Sequence, residues 1–158
     1  MPDMYVQTIF CLYFAKFCVV TKMAILTQLW LLLLFVIGGK LGAGLAGFPP
    51  PEIVLWLLRG VIGGLAIIAL QLLLSMVIRN FALPVLLALG GSVAGLLAVS
   101  EDLGLYWPYS LMILGMNSNR TEDVMKGGIW GFFVSCTIFL TVFLLIANVL
   151  LTKRDVKA

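Results

Sequence analysis

Two adjacent pairs of carboxylates are the residues in this chain most able to transfer protons. The pairs are Glu101–Asp102 and Glu122–Asp123. General acid–base catalysis needs two carboxyl groups that are held in different environments around one reacting atom. Neighbouring residues on a helix point about 100° apart, and both pairs lie at predicted ends of apolar segments. We therefore predict no catalytic residue and no enzymatic activity in this chain.

Other kinds of chemistry lack the residues that they need. The chain has no histidine, which excludes histidine triads and histidine metal ligands. Its cysteines, Cys11, Cys18 and Cys136, fit no paired spacing and are predicted to be buried apolar thiols. No GxxxxGK[ST] stretch is present to bind ATP. We predict that this chain binds neither a metal nor a cofactor.

The composition predicts a protein of the lipid bilayer. Hydrophobic residues make up 63% of the 158 positions and charged residues only 11%, and the mean hydropathy is +1.17. A soluble domain carries about a quarter charged residues. The basic residues behind the net charge of +3 are scattered, so nucleic acid is not a predicted partner.

Four apolar segments are long enough to cross a bilayer, which takes about 20 residues. The predicted spans are 23–45, 53–78, 81–99 and 129–152. Residues 1–22 are predicted to form a cytoplasmic or interfacial segment, because Lys16 and Lys22 interrupt their apolar run. Residues 153–158 form a tail. The predicted fold class is an all-α membrane protein with about four transmembrane helices.

The predicted external hairpin, residues 100–128, joins the third span to the fourth. Its apolar part, 103–116, is short and is broken by Pro108, which favours a re-entrant or interfacial segment. Glu101 and Asp102 are predicted to mark the outer end of the third span, and Asn117–Lys126 to be a solvated loop. Three aromatic residues suit the headgroup region: Tyr106, Trp107 and Tyr109.

The basic residues favour an orientation with both termini in the cytoplasm. That orientation places six of them inside: Lys16, Lys22, Arg79, Lys153, Arg154 and Lys157. It leaves four outside: Lys40, Arg59, Arg120 and Lys126.

Polar residues form two stripes within the predicted spans. Gln71 and Ser75 are four residues apart on the second span, and Arg79 follows at the same spacing. The fourth span carries Thr137, Thr141 and Asn148. Such residues can line a translocation path or a subunit contact. They can equally make ordinary hydrogen bonds within and between helices, and the sequence leaves both interpretations open.

Small residues predict a close-packing face on the third span. Glycine occurs 16 times, and Gly60/Gly64 and Gly91/Gly95 have the GxxxG spacing that lets membrane helices approach closely. On the third span one face collects Pro84, Ala88, Gly91, Ser92 and Gly95. We expect this face to pack against another helix.

The order of these features resembles a family of transport proteins. The stretches "LQLLLSMVIRNFALPVLLALGGSVAGLL" and "LGLYWPYSL" look like the C-terminal part of type-2 ABC exporter permeases, in the lantibiotic-immunity branch. The matching positions are Gln71, Ser75, Arg79, Phe81, Pro84, Gly91, Gly95, Tyr106, Trp107 and Pro108. The stretch "YFAKFCVVTKMAILTQLWLLLLF" is similar to the family's helix after its cytoplasmic coupling loop.

The resemblance implies a permease subunit in a bacterial plasma membrane. Its expected partners are a separate ATP-binding subunit and a second permease subunit, and its expected cargo is an antimicrobial peptide. Lys16 and Lys22 would contact the ATPase, and Tyr106, Trp107 and Pro108 would form an external gate. Such permeases usually have six spans, so an N-terminal helix and two spans are expected to be missing. The alternative is a small helical membrane protein with a structural or regulatory role.

Overall fold

The computed structural model describes residues 3–44, 51–118, 123, 125 and 128–155, and the regular secondary structure of these residues is all helical. The five α-helices are α1 (Asp3–Ile37), α2 (Ile53–Val77), α3 (Ala82–Ser100), α4 (Ser110–Gly115) and α5 (Ile129–Asp155). A π-helical turn, Gly38–Gly42, continues α1, and a 3-10 turn, Gly104–Tyr106, precedes α4.

Four of these helices are long and apolar enough to cross a membrane. The candidate spans are Cys11–Gly42, Ile53–Val77, Ala82–Ser100 and Ile129–Leu150. This confirms the predicted all-α membrane fold with four spans. Residues 3–22, which were predicted to be a separate segment, belong to the same continuous helix as the first span. Where the membrane surface crosses that helix stays a prediction.

The turn between α2 and α3 places two helices side by side with opposite directions. Helix α2 ends at Val77, and Ile78 adopts an extended conformation with φ −98° and ψ 118°. The side-chain oxygen Oδ1 of Asn80 accepts a hydrogen bond of 2.9 Å from the backbone N–H of Ala82, which satisfies a free donor at the start of α3. Pro84 falls in the first turn of α3, where a proline costs no helical hydrogen bond.

The C-terminal end of α3 lies at the first carboxylate pair. The helix ends at Ser100, and both Glu101 and Asp102 are exposed. Asp102 has φ 57°, a left-handed conformation that aspartate tolerates better than most residues. The predicted role of this pair as a marker of the helix end is confirmed.

The segment that follows, residues 103–116, folds back against α2 and α3, and we call it the re-entrant segment; its depth in the membrane stays a prediction. The Ser110 hydroxyl donates to the carbonyl oxygens of Gly104 and Trp107, the latter at 2.6 Å, and so joins the 3-10 turn to α4. Leu111 is completely buried. The contact between α4 and α2 is the most extensive contact between any two elements of the described residues. The re-entrant segment is therefore part of the core of the bundle.

Glycines allow the re-entrant segment to lie against its neighbours. A Cβ atom on Gly63 of α2 would lie 2.5 Å from the carbonyl oxygen of Leu111, and one on Gly95 of α3 would lie 3.1 Å from the backbone nitrogen of Ser110. Gly91 and Gly95 of the predicted packing face of α3 thus meet the re-entrant segment, whereas Pro84, Ala88 and Ser92 line a groove beside α2. Backbone approaches of this kind are what small residues permit in membranes.

The buried apolar side chains form two clusters. One, around Leu111 and Phe132, includes Cys136, and the other joins Tyr13 of α1 to α2 and α5. Cys136 is buried, as predicted, but Cys11 and Cys18 are exposed on α1. The prediction of buried thiols was wrong for these two, because the face of α1 that carries them is not covered by the other helices.

Candidate functional site

A groove of about 750 Å³ runs between α2 and α3. Gln71, Ser75 and Arg79 line its α2 side, and Ser92 lies on its α3 side. The polar stripe that the sequence predicts on the second span therefore faces a cavity. Asn80, in the turn, lines the end of the groove next to Arg79, so this end is the more polar one.

The re-entrant segment contacts both α2 and α3 beside the groove. The side-chain amide Nε2 of Gln71 donates a hydrogen bond of 2.5 Å to the Tyr109 hydroxyl. The ring of Tyr109 lies against Gly91 of α3, where an added Cβ would lie 2.5 Å from ring atom Cε2. Trp107 donates from its ring Nε1 to the carbonyl oxygen of Gly91 at 2.9 Å. Tyr109 and Trp107 thus bridge the two walls.

The burial of Tyr109 was not predicted from the sequence. Its location in the headgroup region stays a prediction, but only 7% of it is exposed. A spacing of three residues from Tyr106 says nothing about which aromatic ring turns inward. The available signal was Gly91 on α3, whose missing side chain leaves room for the ring.

The Tyr109 hydroxyl accepts a hydrogen bond from Gln71. Because Gln71 donates to the oxygen, the hydroxyl hydrogen can be donated to another acceptor. Gln71, which lines the groove, and Tyr109 thus form a polar pair beside it.

The predicted gate residues differ in their surroundings. Tyr106 is 78% exposed, whereas Trp107 is 39% exposed and is bound to α3 through its ring nitrogen. Pro108 is half-buried. Of these three residues, Trp107 has the contact that can hold a gate against a span.

The polar stripe on α5 does not join the groove. Thr137, Thr141 and Asn148 are exposed, and none of them lines the cavity between α2 and α3. The Thr137 hydroxyl donates to the carbonyl oxygen of Phe133, four residues earlier, at 2.8 Å. This bond is the common way for a threonine to satisfy itself within a membrane helix.

A buried ion pair lies apart from the groove and was not predicted. Nη1 of Arg59 lies 2.9 Å and 3.0 Å from the two carboxylate oxygens of Asp123, and the two side chains are 8% and 11% exposed. Oδ1 of Asp123 also accepts the backbone N–H of Met125 at 3.0 Å. The pair joins α2 to the chain that leads into α5.

This ion pair corrects the predicted solvated loop. Asn117 and Met125 are 6% and 7% exposed, and Asp123 is largely covered, so the loop prediction was wrong at these positions. Residues 119–122, 124, 126 and 127 lie outside the described residues. The polar sequence of the loop suggested exposure to solvent, but the Asp123 carboxylate is the buried partner of Arg59. A buried guanidinium requires such a partner.

Lys16 and Lys22 lie beside α2 rather than beyond its end. On α1 they stand between Tyr13, whose hydroxyl donates to the carbonyl oxygen of Ala69 at 3.1 Å, and Gln28. Nε2 of Gln28 is 3.7 Å from where a Cβ on Gly60 would lie. Both lysines are exposed. This location does not favour contact between Lys22 and a soluble ATPase.

Comparisons with known proteins add no family: no family model matches the chain, and neither the curated proteins nor the solved structures include a match. Within the part of the chain that the structure describes, no three histidine, cysteine, aspartate or glutamate side chains group together as metal ligands could.

Proposed function

We propose that this multi-pass membrane protein is the permease subunit of an exporter whose ATP is hydrolysed by a separate subunit. The observation that supports the proposal best is the groove between α2 and α3, whose polar residues extend from Arg79 to Gln71. If the surfaces of α2 and α3 that form the groove only contacted lipid, apolar side chains would be expected at these positions. Polar side chains within a span are costly and usually line a path or a contact.

In this proposal the groove is the half of a path that one subunit contributes. Gln71 and Ser75 would offer hydrogen-bonding groups to a passing peptide, and Tyr109 would close the path until the re-entrant segment moves. The Gln71–Tyr109 hydrogen bond would be the contact that breaks on opening. A second permease subunit, of the same or a similar chain, would supply the opposite wall.

Four further features are proposed only from the resemblance to lantibiotic-immunity permeases. The cargo is an antimicrobial peptide, the membrane is the bacterial plasma membrane, both termini are cytoplasmic, and Lys16 contacts the ATPase. Thr137, Thr141 and Asn148 are not included in the path, because they lie on α5 outside the groove.

A second candidate function is a structural or regulatory role within a larger membrane complex. One observation favours it: the outward face of α1 is apolar and exposed over several turns, with Val19, Leu26 and Leu33 each about half exposed. A helix with this much open surface can serve to join other membrane proteins.

Purification from the host's own membranes separates the two functions. The chain would be isolated in a mild detergent, and ATP hydrolysis and peptide export would be measured on the reconstituted complex. If the chain is an exporter subunit, we expect an ATPase subunit to co-purify in stoichiometric amount. We also expect Gln71→Leu to abolish peptide export. Ser100→Ala is the control and should not, because the Ser100 hydroxyl bonds to its own helix. A complex without an ATPase would instead support the structural role.

A further inference from the structure

Lys22 lies at the depth of the middle of α2. It stands between Tyr13, which bonds to Ala69, and Gln28, which lies against Gly60. Gly60 is seven residues from the start of α2 and Ala69 is eight residues from its end, so each is about 10 Å or more inside the helix at 1.5 Å per residue. The backbone of Lys22 is thus well inside the span from both sides.

The side chain of Lys22 points away from the bundle, along a regular apolar seam. Val19, Lys22, Leu26, Leu29 and Leu33 follow each other at intervals of three, four, three and four residues, which places them on one face of the helix. All five are exposed. A lysine at one position of such a seam is a known way to select a partner helix and its register.

Lipid alone is a poor environment for this lysine. A lysine near a helix end can extend its ammonium group to the headgroups, but Lys22 is six residues further along α1 than Lys16. Ionisable residues at such a depth are nearly always paired with another group. The apolar seam identifies the face of α1 that a partner would cover. The ammonium group of Lys22 indicates that this partner carries a negative charge.

A second copy of these 158 residues offers no acidic side chain within a candidate span. The seven acidic residues are Asp3, Glu52, Glu101, Asp102, Glu122, Asp123 and Asp155. All of them lie outside the four candidate spans. Two copies that packed in parallel along this seam would also place Lys22 against Lys22, which is repulsive.

We propose that the α1 seam binds a transmembrane helix of a different protein, and that this helix carries a carboxylate at the depth of Lys22. The Leu-rich part of the seam supplies the packing surface. The ion pair between Lys22 and the carboxylate sets the register and excludes a second copy of this chain. The proposal does not depend on the exporter function.

The first test measures whether Lys22 lies within the apolar layer. The chain would be synthesised into liposomes without other proteins, and the fraction that resists carbonate extraction would be compared between variants. We expect Lys22→Met to insert several-fold better than the native chain, and Lys40→Met, at the outer end of the same helix, to insert no better. Equal insertion of Lys22→Met and the native chain would overturn the proposal.

The second test concerns the partner. Native membranes would be separated by native gel electrophoresis after mild detergent, and the subunits of the band that contains the chain would be identified. We expect a mixed complex that contains a protein with an acidic residue in a span. The complex should be lost in Lys22→Met and kept in Lys22→Arg.

Exchange of the two charges completes that test. Lys22→Glu should abolish the complex, and replacing the partner's acidic residue by lysine in the same cells should restore it. A chain that migrates alone, a complex of identical chains, a partner without an acidic residue in a span, or a complex unaffected by Lys22→Met would each overturn the proposal.

Discussion

The side-chain amide of Gln71 donates a hydrogen bond of 2.5 Å to the hydroxyl of Tyr109 and thereby joins the second span to the re-entrant segment. Tyr109 also lies against Gly91 of the third span. A single buried phenol therefore contacts both spans from the re-entrant segment. Any movement of the re-entrant segment away from α2 has to break the hydrogen bond to Gln71.

The first prediction concerns this hydrogen bond. Tyr109→Phe removes the hydroxyl and leaves the ring, so Gln71 loses its acceptor in a buried place. We expect a loss of about 1 kcal/mol in the free energy of unfolding, as is typical of hydrogen bonds between membrane helices. Titration of the protein in mixed micelles with a denaturing detergent measures it. Tyr106→Phe is the control because Tyr106 is exposed, and an equal loss in both variants would contradict the assignment.

The second prediction concerns the approach of α4 to α2. Gly63→Ala would place a methyl group 2.5 Å from the backbone oxygen of Leu111, which cannot move without displacing α4. We expect a destabilisation of about 1–3 kcal/mol in the same unfolding titration.

The neighbouring glycine provides a matched control for that variant. At Gly64 the nearest atom to an added Cβ is the Met112 sulfur at 4.0 Å, which is ordinary contact. Gly64→Ala should be neutral or slightly stabilising, since alanine favours a helix over glycine. Similar losses in both variants would show that α4 does not lie where the structure has it.

The third prediction concerns the buried ion pair. Asp123→Asn leaves the Arg59 guanidinium buried without its counter-charge, which we expect to destabilise the fold by about 3–5 kcal/mol. The double variant Arg59→Met, Asp123→Asn removes both charges and should be more stable than Asp123→Asn alone. A double-mutant cycle on unfolding free energies gives the coupling.

The exposed carboxylate of Asp102 is the control for the ion pair. Asp102→Asn should change the unfolding free energy by no more than about 0.5 kcal/mol, because asparagine also tolerates the left-handed conformation found there. Additive effects of the Arg59 and Asp123 substitutions would contradict a direct pair.

Much of the fold could be predicted because it follows from apolar length and helix-breaking residues. The four spans, the break at Pro108 and the end of the third span at Glu101 are of this kind. The depth of Tyr109 and the pairing of Arg59 with Asp123 could not be predicted. Both depend on how the re-entrant segment turns between distant helices, and 64 residues separate the two charges.

The polar stripes show the same limit. A spacing of four residues placed Gln71 and Ser75 on one face of α2 correctly, and they share the groove with Ser92. The same spacing placed Thr137 and Thr141 on one face of α5. Spacing alone does not indicate whether other helices cover that face. Periodicity fixes a face, whereas the neighbours of that face are set by tertiary packing.

Thiol accessibility measures whether the groove between α2 and α3 is a hydrated path. Cys11, Cys18 and Cys136 would first be replaced by alanine. Ser92→Cys, which lines the groove, would then be compared with Val93→Cys, the next residue, which is 60% exposed on the outside of the bundle. Inside-out vesicles would be treated with a membrane-impermeant maleimide, which reacts with thiolates in contact with water. We expect Ser92→Cys to be labelled several times faster than Val93→Cys; equal rates for the two would show that the groove is not hydrated.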